Sequence, residues 1–198
     1  MMLAALHIVK YLNQIQDNIL CIGRTDTTGN AIKTYMDANW ASDPNANQKS
    51  TSGLIVKVFR NIVTWNSHIQ KCVASSAVKA EYIAGSAAIR EALFHRHLLC
   101  GLGFRDHTPI IFTDNTGCIQ VAKDQAMHSK FKHINTKYHL IQDHIPEGDI
   151  MIRYVKTEDN IADFLTKPVL GKLLSHTCTH LGIVNAGSYG CSIGKEGS

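Results

Sequence analysis

The chain reads as an α/β protein, a mixed sheet with helices on its faces. Two features of the pattern point there. Three strand-like runs follow one another between residues 31 and 65, with turn signals and no helical periodicity between them. Beyond residue 75, apolar runs of strand length alternate with stretches of helical spacing, the arrangement that lays helices on a sheet. A third observation sets the scale: 198 residues with 44% hydrophobic content can bury one substantial core.

The elements follow in order. Leu3, Leu6, Val9 and Leu12 recur at threefold spacing and predict a short amphipathic helix over residues 3–14. Residues 23–30, Gly-Arg-Thr-Asp-Thr-Thr-Gly-Asn, are turn formers and read as a linker, so the main domain begins near Ala31. Residues 31–37 form a first strand that ends at Asp37, and the run from Asp43 to Asn47 marks a turn. Residues 52–59 and 61–65 are the next two strands, joined tightly around Arg60. Ser75 or Ser76 caps a long helix running to about Cys100, where Gly101 and Gly103 stop it. Residues 110–113 are a short buried strand ending at Asp114. Helices are expected over 116–123 and about 135–145, the second halted by Pro146 and Gly148, and residues 150–155 are the last strand. A helical turn over 161–166 precedes Pro168, a further helix spans 170–181, and residues 184–198, rich in Gly and Ser, read as a disordered tail.

Composition narrows the function. The net charge of +4 and a pI near 8.7 suit a polyanionic partner without demanding one. Between Lys123 and His139 stand Lys123, Lys130, Lys132 and Lys137 against a single acid, Asp124. That strip is either a solvated helix face or a track for phosphates. Six cysteines without C-x-x-C spacing signal no zinc or redox pair and suit reduced thiols in an intracellular protein. No apolar run is long enough to span a bilayer.

Four carboxylates carry the chemistry: Asp37, Glu81, Asp114 and Asp163. Asp37 and Asp114 each follow an apolar strand-like run; if those strands are neighbours, the two acids converge where such sheets bind ligands. Glu81 lies one to two turns into the long helix and points toward the same place, and Asp163 sits in the late helical turn. Acids gathered at one point repel and raise one another's pKa. Hard oxygen ligands of this kind select Mg²⁺ or Mn²⁺, and two such ions clamp the attacking and leaving oxygens of a phosphodiester. A metal-dependent nuclease is the reading that uses all four.

Six segments in order then carry a resemblance: Asp37-Ala38-Asn39-Trp40-Ala41; Lys49-Ser50-Thr51-Ser52-Gly53; Ser75-Ser76 followed by Ala80-Glu81-Tyr82-Ile83-Ala84; Asp114-Asn115; Lys132-His133-Ile134; and the run from Thr157 to Pro168, Thr-Glu-Asp-Asn-Ile-Ala-Asp-Phe-Leu-Thr-Lys-Pro. Together they resemble the RNase H domain of copia-type retrotransposon polyproteins, over nearly the whole chain. The resemblance implies an RNase H-like fold, a five-stranded mixed sheet of three antiparallel strands and then two parallel, flanked by helices. It implies cleavage of the RNA strand of an RNA–DNA hybrid with two Mg²⁺ or Mn²⁺ ions. Asp37 would bridge both ions, Glu81 and Asp114 would complete one site, and Asp163 the other. Asn115, Lys130, Lys132 and Lys137 are the expected nucleic-acid contacts. Residues 1–30 would be the remnant of the reverse transcriptase connection and linker, residues 31–183 the RNase H-like domain and residues 184–198 the tail. The reverse transcriptase of a parent polyprotein is then a partner, and the expected setting is intracellular, in the cytoplasmic virus-like particle of the element. The chain departs from the family pattern at Asn39, Lys79, Thr116-Gly117 and Lys156, and Lys79 is expected to add a cation near the metal site. The alternative is a degenerate, inactive module that only binds nucleic acid.

Overall fold

The structure, a computed structural model, describes residues 2–23, 31–43, 48–124, 140–168 and 171–189. Its centre is a five-stranded sheet of β2 (Ile32–Asp43), β3 (Lys49–Val58), β4 (Asn61–Ile69), β5 (Ile110–Thr113) and β6 (Met151–Tyr154), in the order β4-β3-β2-β5-β6. β4, β3 and β2 pair antiparallel, whereas β2–β5 and β5–β6 are parallel. This is the mixed sheet expected from the sequence. The first strand is longer than expected and does not end at Asp37. Asp37 instead lies within β2, opposite Gly53 of β3. The parallel ladder with β5, however, closes at Tyr35 and Phe112, so Asp37 and Asp114 are level with each other just past its end.

Alternation along β2 builds both faces. Ile32, Thr34 and Met36 are fully buried, while Lys33 and Tyr35 on the other side are half-buried. On the first face lies α2 (Ala77–Gly101), with α3 (Thr116–Lys123) and α4 (Leu140–His144) beside it. Ala80, Ala84, Ala88 and Ala92 recur every fourth residue of α2 and are buried, a small-residue stripe that lets helix and sheet approach closely. Met36, Tyr82, Ile89, Ile111, Val121, Ile141 and Ile152 fill the core there. Each such side chain contributes roughly 1.5–3 kcal/mol on burial.

The ends of α2 obey its sequence. The Ser76 hydroxyl accepts from Lys79 N at 3.3 Å. At the other end Gly103, at φ +84°, donates to the Cys100 carbonyl at 3.0 Å, and Phe104 N reaches Leu99 O at 3.0 Å. The β3–β4 turn is as tight as expected. Phe59 and Arg60 both take positive φ, 46° and 70°, the twist that matches a two-residue hairpin, and Asn61 Nδ2 donates to Phe59 O at 2.9 Å.

The second face is covered by residues 157–167, α5 (Gly171–Leu181) and a small sheet of β1 (Asn18–Leu20) and β7 (Ile183–Asn185). Ile55, Ile62, Ile161 and Leu181 are buried between them. This corrects the tail: residues 183–185 are a strand, and α6 (Ala186–Tyr189) follows it. Three-residue strands carry too little periodicity to be seen in sequence. The expected amphipathic helix is present as α1 (Met2–Ile15), but none of its residues is buried. Trp40 and Trp65 stand at the surface, exposed by 48% and 62%. The Asp43–Asn47 turn falls mostly outside the described residues, as do the first turns of the helix expected from residue 135. Among the described residues, no helix is long and apolar enough to cross a membrane.

Candidate active site

Sheet topology brings the acids together. β2 is the strand at which pairing changes from antiparallel to parallel, and Asp37 and Asp114 stand beyond its ladder with β5. Glu81 comes from the second turn of α2 and reaches across to β2, where its Oε1 accepts from Ala38 N at 3.2 Å. Asp37, Glu81 and Asp114 each offer a carboxylate oxygen within 4.8 Å of the other two. Asp37 and Glu81 are only 3% and 4% exposed. Three charges so placed are costly. Burial first, and then the Asp37 charge, push the Glu81 carboxyl up to about 8. Burial likewise raises Asp37, against the lowering effect of the Thr166 hydroxyl and of the Lys167 charge.

Glu81 Oε2 is buried and has no hydrogen-bond partner. An orphaned carboxylate oxygen beside two further carboxylates is a donor set for a hard divalent cation: all oxygen, all anionic, with lone pairs left over. The residues therefore fit the cation that the sequence implied. Asp163 stands apart from the trio. It opens a short 3₁₀ turn, Asp163–Leu165, and its Oδ1 is ion-paired with Lys167 Nζ. Its charge still acts on Asp37, so it belongs to the same neighbourhood.

Four residues without an assigned role position this arrangement. Asn160, 3% exposed, donates to the Met36 carbonyl at 3.0 Å and approaches Asp114 Oδ1 at 3.5 Å. It pins the 157–167 segment between the two aspartates. Thr166 donates its hydroxyl to Asp37 Oδ2 and also reaches the Asp163 carbonyl at 3.0 Å. Lys167 supplies the cation beside the acids, while Lys79, expected in that place, is turned to Ser75 Oγ at 2.8 Å. Gly53 makes room: a Cβ there would meet Ala162 O, Leu165 Cβ and Thr166 Cγ2, each at 2.9 Å. All four lie inside the segments that carried the resemblance, which is the only signal that marked them.

Asn115 is the N-cap of α3, and its Oδ1 accepts from Cys118 N at 2.8 Å. The oxygen thus has a structural task, whatever the amide nitrogen contacts. Lys130, Lys132 and Lys137 lie outside the described residues. A second group with ligand atoms in reach of one another is His144, Glu147 and Asp149, in which Asp149 is paired with His144 and Arg96. Its Asp149 accepts from His144 Nδ1 at 3.0 Å and from Arg96 Nη1 at 3.1 Å.

No family model matches the chain. Over 162 residues it is 32% identical to the retrovirus-related Pol polyprotein from transposon TNT 1-94 of Nicotiana tabacum, an alignment covering 82% of this chain and 12% of that polyprotein. The chain's homologues are retrovirus-related Pol polyproteins from plant transposons, at 30–32% identity over most of the chain. The chain spans about one-eighth of the length of the relative it matches, 12%. Among solved structures it resembles LC11-RNase H1, isolated from compost, with a TM-score of 0.50 at 19% identity, covering 74% of this chain and 99% of that one. The foamy viral protease-reverse transcriptase in complex with RNA/DNA hybrid also matches with a TM-score of 0.50, at 18% identity over 74% of this chain and 21% of that one. The fold of the chain is that of RNase H.

Proposed function

We propose that this chain is a ribonuclease H of copia type, hydrolysing phosphodiesters within the RNA strand of an RNA–DNA hybrid. One observation carries the reading: Asp37, Glu81 and Asp114 converge within 4.8 Å around a buried carboxylate oxygen that has no partner. Asp37, Glu81 and Asp114, with Asp163 at the edge, are the residues that would hold Mg²⁺ or Mn²⁺. Bound divalent cations supply Lewis acidity for the attacking water and the departing 3′-oxygen. The chain's own part is orientation. Ala38 N fixes one oxygen of Glu81 and leaves the other to the site, Thr166 fixes Asp37, and Asn160 holds the Asp163 segment against β2. A foamy viral relative in fold was captured with RNA/DNA hybrid, which supports that substrate class here.

The test is a cleavage assay on hybrid, duplex DNA and single-stranded RNA, with Mg²⁺ or Mn²⁺ and with chelator. The expected result is cleavage of the RNA strand of the hybrid alone, lost with chelator and lost in Asp37→Asn. Hybrid binding that weakens with salt but gives no cleavage product would favour the inactive binding module instead. The same reading places residues 1–30 as the end of a reverse transcriptase connection, the polymerase of a parent polyprotein as partner, and the cytoplasmic particle of the element as its setting.

A further inference from the structure

Residues 163–167 present a carboxylate, a hydroxyl and an ammonium to the acidic site. The ammonium is tethered. Lys167 N donates to the Asp163 carbonyl at 3.2 Å and Thr166 N donates to it at 3.1 Å, so the two side chains leave the backbone one turn apart on the same side. Lys167 Nζ is ion-paired with Asp163 Oδ1; the Asp163 side chain is 19% exposed and that of Lys167 41%. The trio differs. Asp37 accepts from a hydroxyl, Glu81 from a backbone N–H and Asp114 from the Asn160 amide, none of them a cation.

The carboxylates therefore fall into two kinds. We propose that Lys167 is a built-in competitor for cations at Asp163: the groups that hydrogen-bond the trio are uncharged, whereas a divalent ion bound by Asp163 must first displace the Lys167 ammonium. The inference rests on the trio being a metal centre and adds the order of filling. The trio loads first, and Asp163 takes part only at higher cation concentration. Gly53 is what holds the competitor in place, since the turn carrying Lys167 packs directly on the backbone of β3.

The experiment is a Mn²⁺ titration of the full chain without nucleic acid, with free ion followed by electron paramagnetic resonance. Wild type is expected to show a tighter and a weaker class of site. In Lys167→Met the weaker class should tighten by roughly three- to tenfold, the size of effect a partly exposed ion pair can exert. Lys167→Arg should restore the wild-type value. The gain should vanish when Lys167→Met is combined with Asp163→Asn. If Lys167→Met leaves the weaker class unchanged, or if the gain survives in the Asp163→Asn background, the inference fails while the metal centre stands. If wild type binds no Mn²⁺, the metal reading fails and the inference with it. Thermal unfolding checks each variant; should Lys167→Met not fold, Lys167→Gln, which keeps a donor and loses the charge, makes the same comparison.

Discussion

Glu81 is the residue at which stability and chemistry conflict most directly. It is a nearly fully buried carboxylate with two acidic neighbours, and one of its oxygens bonds nothing. Such a group is tolerated for what it binds. Glu81→Gln keeps an oxygen for Ala38 N, removes the cost of taking up a proton at a buried acid on folding, and gives the orphaned position an amide that can donate to Asp37 or Asp114. In chelator at neutral pH this variant should be more stable than wild type by about 0.5–2 kcal/mol, as removal of strain from a functional site commonly is. It should also lose hybrid cleavage. Denaturant unfolding in chelator decides it, and a less stable variant would show that the carboxylate is accommodated after all. Asn115 makes the complementary point. Its residue type and place after a strand allowed either a turn former or a nucleic-acid donor, and the 2.8 Å bond from Cys118 N shows the former for its oxygen.

At the scale of elements, Gly53 decides how the 157–167 segment seats. It pairs with Asp37 across the β2–β3 ladder, and any side chain there collides with backbone and side chains of residues 162–166. Gly53→Ala should destabilise the fold by roughly 1–3 kcal/mol through overpacking. It should also reduce cleavage beyond what the lost stability explains, because Asp163, Thr166 and Lys167 move with the turn. Activity measured well below the variant's melting temperature separates the two effects. How much of this was legible follows from the same residues. Asp37 and Asp114 could be placed because each follows an apolar run and neighbouring parallel strands align their ends. Gly53, Asn160 and Thr166 could not, because their tasks exist only once residues more than a hundred positions apart in sequence are packed together.

Arg96 is a second junction between elements. From α2 its largely buried side chain donates Nε and Nη2 to the Asp106 carboxylate at 2.7 and 2.8 Å, and Nη1 to Asp149 at 3.1 Å. The guanidinium holds the Asp106 carboxyl down at about 2, and the His144 bond, then Arg96, holds Asp149 below its ordinary value. A carboxyl lowered in the folded state adds stability above its unfolded pKa, here 3.8, and loses it as pH falls through the folded value. Arg96→Ala should therefore melt below wild type at pH 6, and the gap should narrow as pH drops from about 4 toward 2. A gap independent of pH across that window would assign the cost to lost packing of the long side chain rather than to its charge.

For the whole molecule, the question is which parts of the chain hold the domain together. The small β1–β7 sheet ties residues 18–20 to 183–185, with Cys21 N on the Gly182 carbonyl at 2.9 Å and Ala186 N on the Asp17 carbonyl at 2.7 Å. Leu20 and Ile183 pack on Ile55, Ile62 and Leu181, so this sheet closes the second face of the main one. The strand over residues 183–185 was not visible in the sequence, where residues 184–198 read as a disordered tail. The helix before β1 was legible and contributes the least: α1 has no buried residue, and Leu3, Val9 and Leu12 are exposed by 83%, 61% and 54%. Removing residues 1–15 should leave the midpoint of denaturant unfolding almost unchanged, within about 0.5 kcal/mol, as for changes away from packed features. It should also reduce self-association, because it removes the solvent-facing Leu3, Leu6, Ile8, Val9 and Leu12. Removing residues 183–189 should cost far more, since Leu20, Ile55 and Leu181 then lose their cover. Equal losses from the two truncations would mean that α1 also seals the fold, through the one aromatic ring, Tyr11, that it places at the apolar cavity lined by Leu20, Trp65 and Leu181.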